Sequence, residues 1–235
     1  MRKFLMLIIL LCFSKTILGA EPEMGFSFGL AKTDLDEYLG LEFENVELEN
    51  ETLIKSFSPV FGLRFNDQLI LQGHFAYKSV SYDYIYHADI SETERASQLY
   101  TLSTAIFRPS LTLRYSPFSY EPLNLDFDVF GGVGGTIIPH YVNEEMNQRE
   151  MGPGLITQTL FSENRYGFTA PAGIGITSRT DEGHIIRIDA MGSYSFQDFF
   201  QLYTTLELRD DQEIVGAYTT SFHTIGARIS YHYQF

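Results

Sequence analysis

From Thr224 to Phe235 apolar or aromatic residues alternate strictly with polar or small ones. Ile225, Ala227, Ile229, Tyr231, Tyr233 and Phe235 form one set. Thr224, Gly226, Arg228, Ser230, His232 and Gln234 form the other. A period of two over this length specifies one strand with a different environment on each face. A fold that ends on such a strand, with an aromatic as its last residue, must bury or cover a continuous apolar stripe at the very end of the chain.

The other end of the sequence says which compartment supplies that cover. Arg2 and Lys3 precede an apolar run from Phe4 to Phe13, and Leu18-Gly19-Ala20 offers a small residue at a cut site. This predicts a secretory signal over residues 1–20, cleaved after Ala20. The apolar run is too short to span a bilayer as a helix. Cys12, the single cysteine, lies inside that run and follows Leu11, which argues against a lipidation site. The remaining 215 or so residues, read as one domain from 21 to 235, carry no thiol. Cleavage would leave 13 basic residues against 30 acidic ones, a charge of −17. Nucleic acid is thereby excluded as a partner.

Period-two alternation recurs along the chain. Eight strands are predicted: Met24–Lys32, Leu53–Asn66, Leu69–Ser81, Gln98–Tyr115, Leu123–Ile137, Phe168–Arg179, a seventh beginning at Ile185, and the last ending at Phe235. In the first, Met24, Phe26, Phe28 and Leu30 oppose Gly25, Ser27, Gly29 and Ala31. Long connections follow the odd strands. Short ones, such as Asn66-Asp67-Gln68 and Thr180-Asp181-Glu182-Gly183, follow the even ones. Residues 138–165 are expected to be the longest irregular stretch, interrupted at Gly152-Pro153-Gly154. Leu41–Leu48 and Phe200–Leu208 are read as strand extensions above a membrane, with ten strands as the alternative.

A bilayer selects this pattern. Hydrocarbon offers no hydrogen-bond partners, so a sheet that crosses it must close on itself, apolar face outward. The expected fold is an all-β, transmembrane, antiparallel up-and-down barrel with four long outer loops and short periplasmic turns. Phe65, Tyr115, Phe118, Tyr120, Tyr233 and Phe235 suit an interfacial girdle. The signal, the alternation of long and short connections, Ala172-Gly173-Ile174-Gly175-Ile176 and the terminal Ile-Ser-Tyr-His-Tyr-Gln-Phe resemble the small eight-stranded outer-membrane barrels of Gram-negative bacteria, the OmpX, OmpW and opacity-protein type. That resemblance implies an outer-membrane location and contact with outer-membrane lipids and lipopolysaccharide. It also implies insertion by the barrel assembly machinery, with Ile229, Tyr231, Tyr233 and Phe235 as the assembly signal. A monomer with no cofactor is expected. An extracellular ligand could be met through the loops.

The candidate site is a charge network on the inner face: Arg64, Arg108, Arg114, Asp126, Asp128, Arg187, Asp189 and Arg228. Aspartates inside a strand are costly in an apolar core and ordinary in a polar lumen with basic neighbours. Arg114 and Asp126 are expected to be diagonal neighbours across one hairpin. Two readings stay open: a structural ion-pair network, or a gate on a narrow path. The acidic stretch 34–51, with eight carboxylates, is either a solvated loop or a weak divalent-cation site. No zinc spacing and no G-x-S-x-G is present, and Phe222-His223-Thr224 lacks the serine of a barrel deacylase. The expectation is a non-enzymatic barrel with no catalytic or metal residues, acting in membrane integrity, adhesion or environmental contact. The alternatives are a narrow pore or hydrophobic-ligand path, and a lipid-modifying enzyme.

Overall fold

The computed structural model describes residues 19–33, 36–39, 46–91, 94–139, 145–151, 154–208, 213–220 and 223–235. The strands in chain order are β1 (Glu21–Thr33), β2 (Asp36–Leu39), β3 (Val46–Arg64), β4 (Leu69–Ser91), β5 (Glu94–Tyr120), β6 (Leu125–Ile137), β7 (Glu145–Met151), β8 (Gly154–Ser162), β9 (Tyr166–Arg179), β10 (His184–Ser195), β11 (Phe200–Leu208), β12 (Glu213–Thr220) and β13 (Thr224–Gln234). Eight of them close a barrel in the order β1-β13-β10-β9-β6-β5-β4-β3. Every pairing is antiparallel. The ten-stranded alternative is thus not the one found.

Closure is made by β13 against β1. Met24 faces Tyr233, Phe26 faces Tyr231, and Phe28 faces Ile229. Phe235 N–H donates to Pro22 O at 3.1 Å, so the last residue is tied to the start of β1. Phe26, Phe28, Leu111, Leu113, Ile174, Ile188 and Ile229 all point outward. A soluble protein would not leave so many large apolar side chains uncovered, whereas hydrocarbon covers them. The strands β9, β10 and β13, of 14, 12 and 11 residues, match the roughly 9–11 residues a tilted strand needs to cross. Among the described residues no helix is long and apolar enough to span a membrane.

The short connections lie at one rim. They are residues 65–68, a 3₁₀ turn over Glu121–Leu123, and residues 180–183. Asn124 caps the 3₁₀ turn with φ 50°, and Gly183 takes φ 87° in the β9–β10 turn. Both are left-handed positions that asparagine and glycine occupy readily. Phe65, Tyr115, Phe118, Tyr120, Tyr233 and Phe235 are exposed at this rim. Tyr166, Phe168, Tyr194 and Phe196 form a matching outward set where β9 and β10 approach their far ends.

Beyond the barrel the structure departs from the expectation. Residues 138–165 are not mainly irregular: β7 and β8 pair within them, from Glu145 opposite Leu160 to Met151 opposite Gly154. The Gly152-Pro153 step between them lies outside the described residues. The polar stretch 82–97 is almost entirely paired, with β4 and β5 continuing to Ser91 opposite Glu94. Residues 116–122 are not simply a turn. Strand β5 runs on to Tyr120 through a bulge between Tyr115 and Phe118, at Pro117, a device that accommodates proline in a ladder.

A second, five-stranded sheet has the order β2-β12-β11-β8-β7. Each of its strands is joined in sequence to a barrel strand, and the barrel strands stand in the same order: β1, β13, β10, β9, β6. The five shorter staves therefore break and resume as an upper storey. The junction is stitched by Glu163 N–H to Phe199 O at 2.8 Å and Asn164 Nδ2 to Asp198 O at 2.7 Å. By contrast β3, β4 and β5, of 19, 23 and 27 residues, rise without interruption.

Candidate functional site: the charged lumen

Alternation carries the polar face of each wall strand into the barrel. Arg64, Arg108, Arg114, Asp126, Asp128, Arg187 and Asp189 are all buried there, and Arg228 is nearly so. Seven of them, all but Arg108, fall into three groups.

The first is centred on Glu23 of β1. Its Oε1 accepts from Arg64 Nη2 of β3 at 2.6 Å, and its Oε2 accepts from Arg187 Nη2 of β10 at 2.8 Å. All three side chains are almost wholly removed from solvent. One carboxylate thereby bridges two guanidinium groups across the sheet closure.

The second group is centred on Arg114 of β5. Nη1 donates to Asp128 Oδ2 of β6 at 2.7 Å, Nη2 donates to both oxygens of Asp189 of β10 at 2.9 Å, and Nε donates to Gln72 Oε1 of β4 at 3.2 Å. Asp128 also accepts from Ser116 Oγ at 2.5 Å and from Thr177 Oγ1 of β9. Asp189 Oδ2 accepts from Arg228 Nη2 of β13 at 2.6 Å, and Arg228 Nη1 donates to His74 Nδ1 at 3.2 Å. Phe130 lies against both arginines, with the Arg114 guanidinium 4.6 Å and that of Arg228 5.4 Å from its ring centre. Such stacking favours guanidinium over ammonium at both positions.

Together these two groups draw on all eight strands of the wall. Fixed, multiply bonded pairs of this kind repay their desolvation only through good geometry, and leaving one partner alone is costly. The space they need comes from small residues. A Cβ at Gly175 would collide with Asp189 Oδ1 and meet Arg114 Nη1 at 3.0 Å, and one at Gly173 would meet the Phe130 ring at 2.6 Å.

The third group corrects an expectation. Arg114 does not pair with Asp126. The register sets Arg114 opposite Phe130, and the bulge after Tyr115 turns Ser119 toward Asp126 instead. Asp126 pairs with Arg179 of β9 at 2.7 Å, at the rim of the short turns. Arg108 Nε donates to Thr136 Oγ1 at 2.9 Å.

Sequence reasoning missed Glu23 and Arg179. Glu23 has the parity of Gly25 and Ser27, and carrying the alternation one step further back would have placed it inside. Ile229, Tyr231 and Tyr233, three of the residues expected to form an assembly signal, lie on the outer face of β13, and the fourth, Phe235, is exposed just beyond its end. Among the described residues no group of three or more His, Cys, Asp or Glu could hold a metal ion. The acidic stretch 34–51 lies largely outside the described residues, although β2 and the start of β3 fall within it.

No protein-family model matches the chain, and no curated protein matches its sequence. Solved structures do match. The outer membrane protein OprG from Pseudomonas aeruginosa superposes with a TM-score of 0.53 at 11% identity, over 92% of this chain and 96% of that one. The chain has the fold of an outer-membrane β-barrel. A major outer membrane protein from Thermus thermophilus aligns over 90% of this chain and 99% of that one, at 12% identity and a TM-score of 0.41. The translocator domain of the autotransporter NalP from Neisseria meningitidis aligns over 98% and 95%, at 10% identity and 0.37. At such identities the likeness concerns the fold of the barrel and not the chemistry of its lumen.

Proposed function

We propose that the protein is a closed, non-enzymatic outer-membrane barrel that works at the cell surface, in membrane integrity, adhesion or contact with the surroundings through its outer strands and loops. The observation that carries this reading is the lumen network. Arginines, carboxylates and their polar partners from all eight wall strands interlock across the interior, which suits a strut better than a conduit. What differs from a minimal barrel is the second storey beyond the membrane-spanning part, and that storey is the natural surface for a partner.

In planar lipid bilayers the refolded barrel is expected to be electrically silent. Steady single-channel steps that scale with salt would overturn the surface reading in favour of transport. That second reading, a narrow path for ions or a small hydrophobic ligand, is favoured by one observation: a cavity occupies the outer half of the lumen, above the ion-pair network.

The same reading includes export under a signal cleaved after Ala20, contact of the outer face with lipids and lipopolysaccharide, and insertion by the barrel assembly machinery. For the last, Ile229, Tyr231, Tyr233 and Phe235 serve as the recognised stripe.

A further inference from the structure

We propose that the outer half of the lumen is a binding site for one small oxyanion, of the size of phosphate or a short carboxylate. The cavity there has a volume of ≈ 60 Å³. At roughly 10–15 Å³ for each water, that is room for about four to six waters or one such anion. Among the described residues its charged lining consists of Lys78, Arg108 and Arg228, with His74 beside them, and includes no carboxylate. Hydroxyl groups supply most of the remaining polarity, Ser27, Ser58, Ser110 and Thr224 among them.

Charge distribution sets this region apart from the rest of the lumen. Glu23, Asp126, Asp128 and Asp189 are each committed to arginines. Lys78 is buried, with 8% of its surface exposed, and no salt bridge reaches it among the described residues. An ammonium group withdrawn from water and facing other cations is strongly unfavourable unless it gives up its proton or an anion joins it, and an anion within reach favours the charged form.

His74 adds a second donor. Its Nδ1 accepts from Arg228, so in the neutral ring the proton sits on Nε2. That Nε2 is buried and has no hydrogen-bond partner. An ammonium, an imidazole N–H and several hydroxyls, with the Arg108 and Arg228 guanidinium groups beside them, thus surround a space of this size, and no carboxylate among its described lining residues answers the ammonium. An oxyanion supplies the acceptors and the missing charge together.

The test is isothermal titration of the refolded barrel, residues 21–235 in zwitterionic detergent at neutral pH, with inorganic phosphate in one arm and acetate in the other. Saturable one-site binding of either anion is expected, and the arm that saturates identifies its class. Lys78→Met should weaken it by about tenfold or more, the loss expected for one charge-assisted contact, and Lys78→Arg should retain it. Ser110→Asp places a carboxylate opposite His74 and should abolish binding by acting as an internal anion. No saturable binding in either arm overturns the proposal, as does unchanged affinity in Lys78→Met. Should Lys78→Met lose its heat-modifiable folded form, Ser110→Asp decides, and wild-type affinity there overturns the proposal. Bilayer silence or conductance bears on the surface reading and is independent of these outcomes.

Discussion

Asp189 is the residue on which the lumen depends most directly. It accepts from Arg114 at 2.9 Å and from Arg228 at 2.6 Å, and it is fully buried. Asp189→Asn keeps the shape and removes the charge, leaving two guanidinium groups facing each other at the Phe130 ring. Breaking a buried pair from one side costs about 3–5 kcal/mol. The expected outcome is a clear fall in the urea midpoint for unfolding from lipid vesicles, with no new conductance. A similar argument holds for Asp126→Ala combined with Asp128→Ala, which strands Arg179 and one arm of Arg114. Stability should drop, and a normal midpoint accompanied by an open channel would instead assign these residues to a gate. Lys78→Met should act in the opposite direction. In phosphate-free buffer it removes a buried cation that lacks a counter-charge, so the variant should unfold at higher urea than wild type.

At the scale of elements, what was legible in the sequence follows what the bilayer imposes. Where a strand touches lipid, one face must be apolar and the other must fit a crowded lumen, so period two is written plainly in β1, β9, β10 and β13. The inward direction of the arginines and aspartates follows from that parity alone. Their partners do not, because partners depend on register: Arg114 stands opposite Phe130, four residues from Asp126, and Asp126 pairs across β6 and β9 with Arg179. Of the upper sheet, β11 was legible as the strand extension Phe200–Leu208, while β7, β8 and β12 were not, for a related reason. Above the membrane neither face of β7, β8 or β12 meets hydrocarbon, so no alternation of apolarity is demanded. Small residues, in turn, make space for particular partners that the alternation does not name. Gly175 is the sharpest instance. Gly175→Ala drives a methyl into the Asp189–Arg114 contact, and overpacking of a fitted interior costs about 1–3 kcal/mol. The urea midpoint should fall by a comparable amount. A further change of Asp189 to asparagine should then cost less than it does in wild type, as expected for two changes that disturb one contact.

At the scale of the whole molecule, the barrel and the upper sheet share staves but not ladders, since the two sheets pair only within themselves. Closure therefore rests on β13 meeting β1 over eleven register pairs, from Glu23 opposite Gln234 to Thr33 opposite Thr224. Until that seam forms, β13 exposes both an unpaired edge and an apolar outer stripe, which is the state an assembly factor would meet. Phe235 ends the stripe. Its ring packs edge-on against Tyr233 at 5.2 Å and its N–H is held by Pro22 O. Deleting it removes one aromatic and one closing hydrogen bond but leaves the eleven register pairs, so the finished barrel should remain nearly as stable as wild type. The cost should appear in assembly. In cells, the amount of heat-modifiable barrel in the outer membrane should fall several-fold, while the same variant refolds normally into lipid vesicles. Equal loss in cells and in vesicles would make Phe235 a stability element, and normal levels in both would remove it from the assembly signal.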